Sequence, residues 1–552
     1  MPYLYDELVK YCGSDAYPFH MPGHKRRLGS FQDPFSIDIT EIDGFDNLHR
    51  AEGILLEAER RAAKLYGAEE THFLVNGSTA GILSAVGAAT THGGRILMAR
   101  ASHKAAYHAA AEGGLETGYL ASGKRPGGDM SPAAGRRPGG DTALIADKRP
   151  GGECGRPVDP DEVEQALAAD ALLHPEGGRI QAVYITSPTY DGVVSDVGRI
   201  AEIAHLFDIP LIVDEAHGAH FGMHPIFPES AGRLGADLVI HSLHKTLPSL
   251  TQTALIHVQG NLVDRRRLRE MLDIYQTSSP SYVLMASIDN CIRILEEHGP
   301  ELFGRFADNL KAFYHSISDL TRIGFIRTDD QSKLLLPPLC PADPEAGGES
   351  RAKILYDTLR LRFRLQPEML SRSYVCMLSS AGDSEEGFRR LSDALHEIDR
   401  EWRTDSGKAI RDIHATYSEE TRHGGETADS EGAQSGGWTA DMEETQLSGE
   451  TAKDTPGRRS VNESIYDDSS IPEAAMAIGA ARDAPQEKVP AEESAGRISG
   501  EYLYLYPPGI PMIAPGERIT SKLINDIRTL RTAGYAIEGS DDHSLRYLWC
   551  VR

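Results

Sequence analysis

No stretch of this 552-residue chain is apolar for the roughly 20 residues that a membrane-spanning helix needs. The first eleven residues carry Asp6 and Glu7 where a secretory signal would have an apolar core. Cysteine is sparse: Cys12, Cys154, Cys291, Cys340, Cys376 and Cys550 lie far apart, with no CxxC pair and no His/Cys cluster at zinc-ligand spacing. Reduced thiols and a cytoplasmic location are therefore expected. Positive charge is also in deficit. With 57 basic against 82 acidic residues the formal charge is −25, which opposes binding to a polyanion such as nucleic acid.

What remains is ordinary globular composition, 40% hydrophobic and 25% charged, in a chain too long for one core. From Thr71 onward, short apolar runs bounded by Gly, Pro or Asn alternate with helical patterns. The runs are THFLVNG, GRILMAR, QAVYITSP, PLIVDEAHG and ADLVIHSLHK. Such runs read as buried parallel strands, so a doubly wound α/β large domain is expected, with ligands beyond the carboxyl ends of its strands. The expected division is an N-terminal segment (1–60), a large domain (61–290), a small α/β domain (291–404), an acidic linker (405–468) and a C-terminal domain (469–552). Two stretches cannot build a core. Around 123–155 a unit recurs with a twelve-residue period at Arg125, Arg137 and Arg149, each followed by Pro-Gly-Gly and an acidic residue. Between Glu419 and Asp468 there are 13 acidic and 4 basic residues, a net of −9. The first reads as a surface insertion and the second as a disordered linker.

Four stretches carry candidate chemistry. Strand THFLV ends in Asn76-Gly77-Ser78-Thr79 and opens a helix, which makes an anion site, although Ser and Thr are equally ordinary caps. Asp214 ends strand PLIVD, where a buried carboxylate needs a partner. One partner is a protonated pyridine nitrogen. The letters Asp214-Glu215-Ala216-His217 also match a helicase motif, but no GxxxxGKS or GxxxxGKT loop accompanies them. His217, His220 and His224 lack the carboxylate of a recognisable metal spacing. Lys245 follows strand ADLVIHS, 31 residues after Asp214, among Ser242, His244 and Thr246, where desolvation favours a nucleophilic amine. His103, after GRILMAR, either lies against a cofactor ring or starts a helix.

Taken in order, PFHMPGHKR, EIDGFDNLHRAEG, FLVNGST, ASHKAAYH, SPTYDGV, VDEAHGAHF, HSLHKTLPSLTQ, QTSSPSY and AGRISGEYLYLYPPGIPMIAPGE resemble the Orn/Lys/Arg decarboxylase family of fold-type-I pyridoxal-phosphate (PLP) enzymes. The chain is similar to a short form, starting at the PGHK region without the receiver-like domain of longer members. The resemblance implies that Lys245 carries PLP as the internal aldimine, Asp214 pairs with the pyridinium and His103 stacks on the ring. It further implies that Ser78, Thr79, Ser242 and His244 hold the phosphate, with Asn76 and Gly77 among the cofactor-binding residues, that Ser279 reaches a partner subunit's site in a homodimer, and that His217 lies near the substrate. The implied reaction is decarboxylation of arginine, lysine or ornithine. The alternatives are another fold-type-I reaction, such as aminotransfer or β-elimination, or a catalytically silent scaffold. Glu517 is a candidate for the substrate's cationic end, or else a surface or capping residue.

Overall fold

A computed structural model of the chain describes residues 3–27, 33–120, 155–339, 350–404, 472–505, 509–532, 535 and 537–552. The 405–468 segment, and the 123–155 insertion apart from Gly155, lie outside the described residues. Among the described residues no helix is long and apolar enough to cross a membrane.

The N-terminal segment contributes α1 (Leu4–Cys12), β1 (Tyr17–Phe19), α2 (Pro34–Ile37) and α3 (Ile54–Tyr66). Each expected strand of the large domain is present. The order is β2 (Glu70–Leu74), α4 (Gly77–Ala89), β3 (Arg95–Ala99), α5 (Lys104–Glu112), β4 (Glu116–Leu120), α6 (Pro160–Leu173), β5 (Ile180–Thr186), α7 (Val197–Leu206), β6 (Leu211–Asp214), β7 (Leu238–Ser242), the single turn α8 (Leu243–Thr246) and β8 (Ala254–Val258). These strands form one seven-stranded sheet, ordered β2-β8-β7-β6-β5-β3-β4. Strand β8 runs antiparallel to both neighbours and every other pairing is parallel.

The sheet is covered on both faces, which is why its strands read as near-continuous apolar runs. On one face Leu74, Ile212, Ile240 and Ile256 pack against Ile82 and Val86 of α4 and against α9 (Arg265–Tyr275). On the other, Val183, Leu211, Val213 and Val239 pack under α6 and α7. Full burial of each such side chain contributes about 1.5–3 kcal/mol.

Helix α10 (Tyr282–Ser316) is continuous through the boundary expected at 290/291, and its apolar face joins the large domain to the small one in a single core cluster. The small domain holds β9 (Lys333–Leu336), α11 (Arg351–Asp357), β10 (Leu365–Pro367), β11 (Met369–Leu370), β12 (Val375–Leu378) and α12 (Glu385–Thr404). Strand β1 leaves the N-terminal segment to pair in parallel with β10. The C-terminal domain contains α13 (Ile478–Asp483), β13 (Gln486–Pro490), β14 (Leu503–Leu505), β15 (Ile510–Ile513), α14 (Ser521–Thr532), β16 (Ile537–Glu538) and β17 (Tyr547–Val551).

Candidate active site

The candidate residues gather where β6 and β7 end. Asp214 is the last residue of β6 and is buried; it accepts hydrogen bonds from Tyr184 Oη (3.2 Å) and the Ala216 backbone N–H (3.1 Å). Burial pushes its carboxyl above the usual range, and Lys245 pulls it back. Lys245 sits on α8 immediately after β7, its Nζ 3.0 Å from His217 Nε2. Burial lowers its pKa, Asp214 opposes that shift, and the buried cation Lys333 adds to it. A lysine so placed is closer to a neutral, nucleophilic amine than a surface lysine is.

The histidines around Lys245 are neutral rings. Burial, then the charge of Lys245, pushes His217 well below the ordinary value and His103 down to about 3. His244 is pushed down to about 4, chiefly by burial, and its Nδ1 lies 3.1 Å from the Thr253 carbonyl. His103 is the cap of α5, its Nδ1 accepting from the Ala105 N–H at 3.2 Å, so the helix-start reading describes its contacts. Tyr190 packs its ring 4.5 Å from that of His217.

At the end of β2, α4 starts on Gly77 with φ of +74°, a left-handed turn that favours glycine. No side chain caps its first turn; Asn76 instead accepts from the Thr277 N–H at 3.3 Å. Ser78 and Thr79 therefore stand beside backbone N–H groups available to an anion. Ser242 Oγ and Thr246 Oγ1, buried on either side of Lys245, have no hydrogen-bond partner among the described residues. Ser279 is exposed, its N–H bonded to Thr277 Oγ1.

Glu517 is placed elsewhere. It is 1% exposed and accepts from the Ala514 N–H (2.8 Å) and from Arg100 (3.1 Å). Arg100, itself buried after β3, also donates to the Pro511 carbonyl at 2.9 Å. The pair matches two buried charges and fastens the C-terminal domain to the large domain. Of the other histidines weighed above, His220 pairs with buried Asp330 at 3.1 Å, and His224 Nδ1 accepts from the Ile226 N–H. Burial alone would lift Asp330, yet His220 and Lys333 hold its carboxyl well below the usual carboxylate range.

One group went unnoticed in the sequence. Glu215 points to the opposite face from Asp214, as alternation along a strand requires. Its carboxylate accepts from His241 Nε2 (2.6 Å), Ser230 Oγ (2.7 Å) and the Ala231 N–H (3.0 Å). His241 Nδ1 is 3.0 Å from His257 Nε2, and His257 Nδ1 is 2.7 Å from Thr71 Oγ1. The chain crosses β7, β8 and β2 in their order in the sheet, packed on the Tyr66 ring. Buried polar residues at alternating positions of IHS and IHV were the available signal.

The family profile for the Orn/Lys/Arg decarboxylase major domain matches residues 2–128 and 154–339, and that for the C-terminal domain matches 463–539. The chain belongs to the Orn/Lys/Arg decarboxylase family. It is 27% identical to an arginine decarboxylase of Halalkalibacterium halodurans, with 100% of this chain and 97% of that protein aligned. It is 23% identical to lysine decarboxylase LdcA of Pseudomonas aeruginosa, over 99% of this chain and 78% of that protein. The solved structure of lysine decarboxylase A from Pseudomonas aeruginosa superposes with a TM-score of 0.66 at 20% identity, covering 100% of this chain and 80% of that one. The fold is thus that expected of a family member: a fold-type-I large domain with a mainly parallel sheet, a smaller α/β domain and a C-terminal domain.

Proposed function

We propose that the protein decarboxylates a basic amino acid, arginine, lysine or ornithine, using PLP attached to Lys245. The observation that carries this reading is the Lys245 amine, held 3.0 Å from a neutral His217 with the buried carboxylate of Asp214 acting on it. The residues fit the cofactor. The orphaned hydroxyls of Ser242 and Thr246 and the uncapped start of α4, with Asn76, Gly77, Ser78 and Thr79, suit its phosphate, while Asp214 suits its ring nitrogen.

When bound, PLP supplies an electron sink for the pair left at the substrate's α-carbon as CO₂ departs. Asp214, braced by Tyr184 and Ala216 and drawn toward its charged form by Lys245, would pair with the ring nitrogen of the cofactor and favour its protonated form. His103, a neutral ring, would add no positive charge against the cofactor ring if it lay on its face. The reaction takes up one proton at the α-carbon. Lys245 Nζ, hydrogen-bonded to His217 Nε2, is the group that holds and moves it. Glu517 acts in domain docking, since its charge is already matched by Arg100.

The assembly is a homodimer on this reading. Tyr3, Leu4, Tyr5, Phe35 and Phe45 are large apolar side chains exposed on the N-terminal segment, of the kind a partner subunit would cover. Ser279, exposed on this chain, is available to a partner's site. Borohydride reduction of the PLP-loaded protein followed by peptide mapping tests the central assignment. The pyridoxyl group is expected on Lys245, with CO₂ release from at least one of the three amino acids. Labelling of another lysine, or no release from any of the three, overturns it.

A further inference from the structure

The segment PFHMPGHKR, Pro18 to Arg26, takes no part in the chemistry above, yet its backbone touches the turn that carries Lys245. The Gly23 N–H donates to the His244 carbonyl at 2.8 Å. That carbonyl belongs to the last turn of α8, where no intrahelical partner exists. A single four-residue turn does not hold itself, because helix nucleation is unfavourable without outside contacts. A Cβ on Gly23 would lie 2.6 Å from the Thr246 carbonyl carbon and 2.7 Å from the Leu247 nitrogen, both backbone atoms that cannot swing aside.

The other side of the segment is fixed to the small domain. Ser380 Oγ donates to the Gly23 carbonyl, and a Cβ on Gly382 would lie 2.6 Å from the same oxygen. Lys25 is 1% exposed; its Nζ donates to the Leu378 carbonyl (2.7 Å) and the His20 carbonyl (2.8 Å), 3.9 Å from Asp383 Oδ2. Asp383 in turn accepts from the Ser380 N–H at 2.8 Å and from Tyr17 Oη at 3.1 Å. Lys25 and Arg26 both adopt left-handed backbone, φ of +51° and +58°. Two consecutive non-glycine residues there carry strain that the surrounding contacts must offset.

We propose that Gly23 and Lys25 are positioning residues: they form a wedge between the small domain and the Lys245 turn that sets where the Lys245 amine stands relative to Asp214 and His217. The Gly23 contacts flank Lys245 on both sides in sequence, at His244 and at Thr246. Any addition at Gly23 must move either the wedge or the lysine turn. The proposal rests on Lys245 being the cofactor lysine.

The test uses the PLP-loaded, full-length protein. Gly23→Ala is expected to lower kcat about a hundredfold, the cost of displacing a catalytic group by about 1 Å, with KM changed by less than about threefold. The pH at which the visible absorbance of the bound cofactor changes should shift by about one unit, because the field of Asp214 and His217 at the Lys245 amine changes with its position. Lys25→Met should act in the same direction and Lys25→Arg should restore part of the loss. Wild-type kcat and absorbance midpoint in Gly23→Ala overturn the wedge, as does a loss confined to KM. If Gly23→Ala fails to fold, Ser380→Ala, which removes only the hydroxyl on the Gly23 carbonyl, is read instead. A shifted midpoint there supports the proposal and a wild-type midpoint overturns it. Wild-type protein with no visible band would overturn the cofactor reading itself, before any variant is compared.

Discussion

Asp214 and Glu215 are consecutive, both are carboxylates and both are buried, but they lie on opposite faces of the sheet and do different things. Asp214 faces the side where α4 begins, takes two hydrogen bonds and leaves part of its charge to act on Lys245. Glu215 faces Tyr66 and receives three donors, the last in a chain of two histidines and a threonine. Burial pushes Glu215 up to about 8, and Ser230 and Ala231 counter it. Burial alone therefore does not mark a working carboxylate. A carboxylate whose oxygens are filled by its own chain is part of the scaffold, whereas one left under-filled beside an amine is available for chemistry.

The largest effect expected on the Asp214 side comes from its amine. Lys245→Ala should remove most of the 10⁶-fold or greater acceleration typical of an enzyme, while the protein still folds, as judged by circular dichroism and elution volume. Retained turnover would move the chemistry away from this end of the sheet. Next in size, Asp214→Asn keeps the shape but removes the charge, and should lower kcat about 10²- to 10³-fold, the loss seen when a preorganised electrostatic group is deleted. Asp214→Glu should recover part of it. Near wild-type turnover in Asp214→Asn would show that the charge is not needed.

Glu215→Ala should do the reverse. It leaves His241 Nε2, Ser230 Oγ and the Ala231 N–H without their acceptor, at a cost of about 1–3 kcal/mol for each buried donor left unpaired. Denaturant unfolding should register that loss, while kcat per folded molecule changes by less than about tenfold. A large fall in kcat at unchanged stability would erase the distinction between the two faces.

Much of this arrangement was legible in the sequence because it is local. An apolar run ending in Asp or leading to Lys fixes the strand and the end at which the residue falls, so Asp214 and Lys245 were readable together with the α/β class. What could not be read depends on residues far apart in the chain. Glu517 and Arg100 are 417 positions apart, and nothing in PGE indicates a buried guanidinium waiting for it. The relay from Thr71 to Glu215 needs the strand order β2-β8-β7-β6, which periodicity does not supply. The α10 helix illustrates a different limit. Its amphipathic pattern runs unbroken from Tyr282 to Ser316, and a domain boundary drawn on composition falls inside it.

The smallest effect concerns pH and returns to the Asp214 side. His103 is pushed down to about 3 by burial and by the charges of Lys245 and Lys104, against 6.5 in the unfolded chain. Between those values the unfolded chain binds a proton that the folded chain does not, so this group's contribution to stability is full above about pH 6.5 and is lost as the pH falls toward 3. His103→Asn retains an acceptor for the Ala105 N–H, and Asn is a good cap, so the helix start survives. The variant has no titrating ring. In cofactor-free protein its stability relative to wild type should therefore rise by about 2–3 kcal/mol between pH 7.5 and pH 4.5, since each pH unit in that window is worth about 1.4 kcal/mol. Denaturant unfolding at the two pH values measures it. A difference that does not change with pH would mean that His103 takes up its proton in the folded protein. The neutral face assigned to it beside the cofactor would then carry a charge, and the under-filled carboxylate Asp214 would no longer stand among neutral neighbours.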